Sequence, residues 1–275
     1  MWIHADYEVT VIPMILDCEK LEVCRSIINR VSTVWFNHGH FCSTMRICFI
    51  VSLNRRFMAI VSLGTIEPSD SNTYLVKGSR NILVDTGLGL HPEELLDRIA
   101  KSLGSERLDA VVLTHCHIDH IGGLKAVAKR FGCKAYAHKD DAVHIRNGDS
   151  RYTLDLDFGI DAGPMDVEDL EDGRIIDIGD HRLEVIHTPG HTEGCICLYD
   201  RVTKALITGD TLFINGMGRT DLPGGSFATM IASLKKLAGV DFDGIYPGHG
   251  EHSPHQGHDC LIHVLRSRGV DIEDY

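Results

Sequence analysis

The chain has 275 residues, with 27 basic side chains against 39 acidic ones and a formal net charge of −12. This length is enough to bury a sizeable core in one domain and to carry an appendage. The negative charge argues against a nucleic-acid-binding role, because phosphate backbones are recognised by basic surfaces. None of the nine cysteines forms a CxxC pair, which indicates reduced thiols and predicts a cytoplasmic protein.

Residues 1–57 differ in composition from the rest of the chain. They hold four of the nine cysteines and carry a charge of +1, against −13 for the remaining residues. We expect either an N-terminal extension of unknown role or a translation start placed too early, with Met58 as the natural beginning. Residues 58–275 form the main domain.

Neither a secretory signal nor a membrane span is evident in this N-terminal part. Asp6 comes too early for a signal peptide, and Pro13 interrupts the apolar stretch that follows it. The window 41–63 is the most apolar long one, but arginines break it, and it falls short of an unbroken span.

From Met58 onward, strand-like and helix-like patterns follow one another. The first helix is predicted over 92–103, because Pro92 suits a first helical turn and Gly104 suits a stop. The other predicted helices are 123–131, 139–147, 226–237 and 258–268. The predicted strands are 59–63, 73–76, 82–84, 109–113, 134–137, 174–178, 182–186, 195–199, 204–208 and 243–247. This order by itself predicts an α/β protein.

The segment 148–172 lacks a clear period. It contains nine Asp or Glu residues and a single Arg. We therefore predict a long loop or an irregular lid between two structured regions.

The densest polar run of the chain is Thr114-His115-Cys116-His117-Ile118-Asp119-His120, which follows an apolar strand-like burst. It places three imidazoles and one carboxylate in six consecutive residues. Both groups bind metal ions, and a buried cluster of this kind is costly without a partner. The run predicts a metal site at the C-terminal end of a strand, where α/β folds usually place their chemistry.

Three later turns supply further metal-binding side chains, each in a Gly-bearing turn after an apolar run. They are Thr188-Pro189-Gly190-His191-Thr192, Thr208-Gly209-Asp210-Thr211 and Pro247-Gly248-His249-Gly250. One such turn would mean little. Four in series, each at the end of a strand, indicate one shared site.

The HxHxDH run followed by a histidine, an aspartate and a last histidine resembles the metallo-β-lactamase superfamily. Within it, 209–213, 218–221 and 246–250 resemble the glyoxalase II (hydroxyacylglutathione hydrolase) branch, in a short form without the usual C-terminal helical extension. The resemblance covers residues 58–275 and implies a catalytic domain built as a four-layer αββα sandwich of two mixed β-sheets.

The resemblance also implies a centre of two divalent metal ions, preferably zinc, with iron or manganese as alternatives. Asp210 would bridge the two ions, and Asp119 and Asp210 would be catalytic by positioning and activating a bridging hydroxide. The first ion would be held by His115, His117 and His191, and the second by Asp119, His120 and His249.

Three residues outside this set have expected supporting roles. Asp85 is expected to orient a ligand imidazole, with a turn-forming role as the alternative. Arg219 occupies the position at which the glyoxalase II branch has a cation that binds the thiol's peptide-like moiety. The alternative for Arg219 is a structural salt bridge with Asp221. His187 is interpreted as a supporting or structural residue.

The function implied by the resemblance is hydrolysis of a hydroxyacyl thioester, such as lactoylglutathione, by a metal-bound hydroxide. The alternative is a persulfide dioxygenase of the same superfamily with one iron on His115, His191 and Asp210. That branch usually has alanine where this chain has Gly248. A lactonase ranks lower, because that group has a tyrosine where this chain has Phe213. The expected partners are a small-molecule thioester and a second copy of the chain, with no nucleic acid and no membrane.

Overall fold

The computed structural model describes residues 9–15, 47–53, 59–179 and 181–270. The chain divides into two units, Met1–Arg56 and Phe57–Tyr275. In the first unit, strands β1 (Val9–Ile15) and β2 (Ile47–Leu53) pair antiparallel. Most of the segment 1–57 lies outside the described residues, so its role as an extension stays a prediction.

One mixed sheet of the second unit has six strands. They are β3 (Ala59–Gly64), β4 (Thr73–Lys77), β5 (Ile82–Val84), β6 (Ala110–Val112), β7 (Lys134–His138) and β8 (Glu168–Leu170). The strands lie in chain order; β3 to β5 pair antiparallel and β5 to β8 pair parallel. Because β5 and β6 run in the same direction, the residues that follow them meet at one edge of the sheet.

The other mixed sheet has five strands. They are β9 (Ile175–Asp177), β10 (Arg182–His187), β11 (Ile196–Asp200), β12 (Ala205–Gly209) and β13 (Gly244–Pro247). Their order is β13-β12-β11-β10-β9, and only β12 and β13 pair parallel. The ends of β12 and β13 therefore also lie side by side.

The helices of the second unit connect these strands. They are α1 (Pro92–Leu103), α2 (Ile118–Ile121), α3 (Leu124–Phe131), α4 (Lys139–Asn147), α5 (Ser150–Thr153), α6 (Phe227–Ala238) and α7 (Gly257–Ser267). Among the described residues, none of the helices has the length and apolar character needed to cross a bilayer.

Alternating side chains of the strands separate the core into layers. On one face of the six-stranded sheet, Leu75 and Leu83 pack in a cluster with Ile99 of α1 and Val127 of α3. Their neighbours on the other face pack against the five-stranded sheet, as Val84 does with Leu198. The far face of the five-stranded sheet packs against α6 and α7 through a cluster that includes Leu206, Leu234 and Leu261. These layers confirm the predicted αββα sandwich.

The acidic segment 148–172 is more ordered than predicted. It contains α5, a short 3-10 helix (Asp155–Phe158) and the edge strand β8. The buried carboxylate of Asp155 accepts hydrogen bonds from the backbone N–H groups of Leu156 and Ala162, both at 2.9 Å. Acidic side chains here satisfy the backbone of a folded turn, and a strand of three residues is too short to show a period.

The helix-facing side of the six-stranded sheet gives a stability prediction. Leu83→Ala leaves a cavity at a fully buried position, so the free energy of unfolding should fall by about 2–5 kcal/mol. Val202→Ala is the control, because Val202 is 70% exposed and should change stability by less than about 0.5 kcal/mol. Urea unfolding at equal metal content measures both. Equal stabilities of the two variants would contradict this packing.

Candidate metal centre

The predicted ligand-bearing turns meet at one edge of the sandwich. The run that starts at Thr114 follows β6, the turn with His191 follows β10, and the turns with Asp210 and His249 follow β12 and β13. Backbone hydrogen bonds join the two sheets at this edge, since the N–H of Ile196 donates to the carbonyl of Thr114 at 3.0 Å. Four turns that are far apart in sequence therefore converge in space.

Three histidines form one group of potential donors. Single ligand atoms of His115, His117 and His191 all lie within 4.8 Å of one another, and all three residues are buried. Nε2 of His115 is 3.1 Å from Nδ1 of His117. Nε2 of His191 is 3.5 Å from Oδ2 of Asp210, so Asp210 borders this group.

A second group consists of Asp119, His120 and His249, again within 4.8 Å. Nε2 of His120 and Nε2 of His249 are 3.4 Å apart, and Oδ2 of Asp119 is 3.0 Å from Nε2 of His249. Asp210 borders this group as well, because its Oδ1 is 3.3 Å from Nε2 of His120. All seven residues implied by the family resemblance thus lie together, with Asp210 between the two groups.

The spacing of these atoms fits a metal ion in each group. Two ligands of a tetrahedral zinc ion are separated by roughly 3.3–3.6 Å, given bonds of about 2.0–2.2 Å. Three buried polar atoms of the centre also have no hydrogen-bond partner, namely Nε2 of His117, Nε2 of His191 and Oδ1 of Asp210. Such atoms are costly to bury. A bound cation would satisfy those of His191 and Asp210, whereas His117 would coordinate through Nδ1, the nitrogen that faces His115.

Hydrogen bonds outside the centre fix which ring nitrogen points inward. Nδ1–H of His120 donates to Oδ2 of Asp85 at 2.8 Å, and Nδ1–H of His191 donates to the carbonyl of Arg219 at 2.6 Å. The hydroxyl of Thr114 donates to Asp85, which leaves its oxygen to accept from Nδ1–H of His115 at 3.1 Å. Each of these three histidines therefore directs Nε2 towards the centre.

The charge states of the metal-free centre follow from burial and neighbouring charges. Burial lowers the pKa of His115 and takes the pKa of His117 down to about 3, so both imidazoles are neutral and able to coordinate. Burial also opposes ionisation of Asp210, but His120 and the other histidines hold its pKa well below the usual range. Burial lowers the pKa of His120, but the carboxylates of Asp85, Asp119 and Asp210 together raise it above its usual value, so a metal that binds Nε2 has to displace a proton.

Asp85 has an unusual backbone conformation for its role. Its φ is 60°, a region that non-glycine residues other than Asn and Asp rarely adopt. Its carboxylate accepts the N–H of Thr114 at 2.8 Å in addition to the imidazole of His120. One side chain thus holds both the start of the histidine run and one of its members.

Arg219 contributes its backbone to the centre more clearly than its side chain. Its guanidinium forms a two-point ion pair with Asp221, at 2.9 and 2.7 Å, and both side chains are exposed. This is the structural alternative considered above, and a substrate role for Arg219 stays a prediction. The preceding Gly218 has to be a glycine, because an added Cβ would lie 2.2 Å from the carbonyl oxygen of Asp210.

Sequence patterns missed one buried carboxylate beside the centre. Asp141 in α4 accepts the N–H of Cys116 at 2.8 Å, the hydroxyl of Thr192 at 2.7 Å and the N–H of Gly194 at 2.7 Å. It therefore ties the histidine run to the turn that carries His191. Its only local signal is that of an acidic residue in a first helical turn, which is common without any such function.

Two further missed residues hold the turn that carries His249. The side-chain amide of Asn72 donates to the carbonyls of Pro247 and Gly250 at 3.0 and 2.9 Å. The hydroxyl of Tyr74 donates to the same carbonyl of Pro247 at 2.9 Å. Asn72 and Tyr74 lie near the start of β4, and nothing in the local sequence there predicts hydrogen bonds to residues that are more than 170 positions away.

A pocket of about 410 Å³ opens beside His249. Its lining residues are Phe213, Ile214, Asn215, Gly216, His249, Gly250 and Glu251. A larger pocket of about 660 Å³ includes Ile82 and Ala110, at the starts of β5 and β6, and none of the seven residues of the centre. The smaller pocket is therefore the candidate substrate site.

The contacts of Asp85 predict how strongly it supports the centre. Asp85→Asn keeps the backbone conformation but replaces one accepting oxygen with a donor, so metal affinity should fall by about 10–100-fold. Asp243→Asn is the control, because that side chain is 57% exposed. Competition with a chromophoric chelator measures both variants. An affinity equal to that of the wild type would mean that Asp85 only shapes the turn.

Comparisons with known proteins agree with this geometry. Residues 66–249 match the family model of the metallo-beta-lactamase superfamily. A probable metallo-hydrolase of Methanocaldococcus jannaschii is 33% identical over 189 residues, which are 66% of this chain and 88% of that protein. The hydroxyacylglutathione hydrolase GloC of Haemophilus influenzae is 32% identical over 169 residues, or 60% of this chain and 78% of its own.

A solved structure agrees as well. The protein TTHA1623 in a di-iron-bound form is 30% identical with a TM-score of 0.61, over 74% of this chain and 96% of that one. The family model alone spans most of the second unit and contains all seven residues of the centre. The chain therefore belongs to the metallo-beta-lactamase superfamily of hydrolase-type metal enzymes.

Proposed function

We propose that this chain hydrolyses a hydroxyacyl thioester, in the manner of a glyoxalase II, with two divalent metal ions. The observation that carries the proposal is the position of Asp210, whose two oxygens lie 3.3 Å from His120 and 3.5 Å from His191, one in each donor group. The similarity to a hydroxyacylglutathione hydrolase and to a di-iron protein supports the substrate class and the number of ions.

Metal ions bound here would supply Lewis acidity and lower the pKa of a bound water towards neutrality. The protein supplies the arrangement. His115, His117 and His191 would hold one ion, and Asp119, His120 and His249 the other, with Asp210 shared between them. Because Asp85 and the carbonyl of Arg219 fix the rings of His120 and His191, the centre is preorganised for charge stabilisation.

The two donor groups differ in how open they are. The histidines of the first group are buried, whereas the side chains of Asp119 and His249 are 15% and 34% exposed. The pocket beside His249 has a size typical of small-molecule sites. We infer that the scissile thioester enters from the side of His249, while Phe213, whose ring centre is 6.2 Å from that of His249, contacts its apolar part.

Gly248 supports a hydrolase over the persulfide dioxygenase. A Cβ at this position would lie 2.2 Å from Oδ1 of Asp210 and 2.7 Å from Cε1 of His120. The alanine that is usual in the dioxygenase branch would therefore force the shared carboxylate or the imidazole to move. The glycine allows the close approach that places Asp210 between both groups.

Metal content and activity should fall together when the centre is broken. We expect about two metals per chain in protein purified without chelator, and hydrolysis of S-lactoylglutathione. His117→Ala should lose most of both, because a buried donor of the first group is removed. His255→Ala is the control, since its side chain is 79% exposed. Elemental analysis and a thioester panel measure the two quantities.

Two results would overturn this proposal. Full thioesterase activity in the metal-depleted His117→Ala protein would rule out the metal-dependent mechanism. A single iron per chain, with oxygen uptake on a persulfide and no thioester hydrolysis, would assign the chain to the dioxygenase instead.

The role of Arg219 is tested by separating it from its partner. If the guanidinium binds the substrate's carboxylate, Arg219→Ala should raise KM for the glutathione thioester a few-fold and leave KM for a small neutral ester unchanged. Asp221→Asn frees the guanidinium and should not raise KM. Equal effects of the two variants on both substrates would mean that Arg219 serves only the ion pair with Asp221.

A further inference from the structure

We propose that His138, Asp140 and His187 form an additional metal site, separate from the seven-residue centre, for a single transition-metal dication such as Zn²⁺. One potential ligand atom from each residue lies within 4.8 Å of the other two. The site shares no residue with the centre described above.

The three residues come from different layers of the fold. His138 ends β7 in the six-stranded sheet, Asp140 lies in the first turn of α4, and His187 ends β10 in the five-stranded sheet. An ion held by all three would therefore join the two sheets directly. Asp141, the next residue along α4, holds the two turns that carry His115 and His191.

Existing hydrogen bonds leave ring nitrogens available for a metal. Nε2–H of His187 donates to the carbonyl of Glu193 at 2.8 Å, so the lone pair of this ring is on Nδ1. Nδ1 of His138 faces Oδ2 of Asp140 at 3.5 Å. This separation is that of two ligands on a tetrahedral ion, roughly 3.3–3.6 Å.

The two imidazoles are also stacked, with ring centres 3.8 Å apart and planes 12° from parallel. Burial lowers the pKa of His138 to about 4, so the ring is uncharged at neutral pH and can coordinate. Because an imidazole lone pair lies in the plane of its ring, one of the two rings has to tilt for both to reach a single ion. The carboxylate of Asp140 then completes a set of two nitrogens and one oxygen, which suits Zn²⁺ and similar ions.

The formal charges around the cluster nearly cancel. Asp140 supplies one negative charge, and Lys139 opposes it from 3.9 Å with a side chain that is half-exposed. Asp172 accepts the N–H of His187 at 2.7 Å, but its charge is shared with Lys236 at 3.0 Å. The cluster therefore depends mainly on coordination chemistry rather than on a strongly negative field.

Packing alone explains the buried histidine less well. As the residue that caps α4, His138 accepts at Nδ1 the N–H of Asp140 at 3.4 Å, which is long for such a hydrogen bond. His138 is nevertheless 3% exposed. A metal bond would satisfy this nitrogen much better than the weak helix cap does.

The test compares zinc stoichiometry between variants of the full chain. Each protein is first loaded at its main centre and then dialysed against buffered micromolar free Zn²⁺, with bound zinc measured by elemental analysis. The wild type should bind one more zinc per chain than His187→Ala. Asp140→Asn should raise the dissociation constant at least about tenfold, since even an outer partner of a metal ligand is worth roughly 10–100-fold.

His255→Ala is the matched control, because it removes an exposed histidine that lies 3.4 Å from a carboxylate, that of Asp243. It should bind as much zinc as the wild type. Zinc held by other histidines and cysteines is common to all the variants, so the difference between them is the readout. Melting temperatures without added zinc establish that each variant is folded.

A second measurement locates the ion. Crystals soaked in Zn²⁺ should give an anomalous peak between His138, Asp140 and His187, and added zinc should raise the melting temperature of the wild type more than that of His187→Ala. Equal stoichiometry in the wild type, His187→Ala and Asp140→Asn would overturn the proposal. So would the absence of a peak at these three side chains while the main centre is filled.

Discussion

The structure depends on one costly arrangement, a buried carboxylate surrounded by imidazoles. Asp210 is 6% exposed and lies within 3.6 Å of His120, His191 and His249. Taking these groups out of water is unfavourable unless they are compensated. Ion pairs with these histidines compensate part of this cost. Oδ1 of Asp210 has no hydrogen-bond partner, and bound cations would compensate the rest.

Both backbone and side-chain groups of the surrounding protein hold Asp210 and the histidines in this arrangement. Gly218 and Gly248 allow the backbone to approach Asp210 so closely that a Cβ at either would lie 2.2 Å from one of its oxygens. Asp85 and the carbonyl of Arg219 accept hydrogen bonds from Nδ1 of His120 and of His191, on the side of each ring that faces away from the centre. The Gly-x-Gly-Arg motif that ends at Arg219 resembles a substrate-binding sequence. It also has a structural role, because it brings the carbonyl of Arg219 to Nδ1 of His191.

Local signals predicted most of the fold and the members of the centre. The helix Lys139–Asn147 and the strand Ile82–Val84 have the predicted limits, because turn residues and apolar runs define their ends. The seven residues of the centre were predicted from motif order within a family. Asp141 and Asn72 were missed, because their partners lie up to 53 and 178 residues away. The strand β8 was missed because pairing with β7, rather than any local pattern, defines it.

The two donor groups of the centre differ in how far the protein encloses them. His115, His117 and His191 are enclosed, so their geometry is fixed by the fold. His249 is one-third exposed and borders a pocket that its own turn lines together with the loop that carries Phe213. Changes in that loop alter what reaches the centre without disturbing the hydrogen bonds that hold it. Substrate choice is therefore expected to follow the residues of this loop, while the chemistry follows the buried donors.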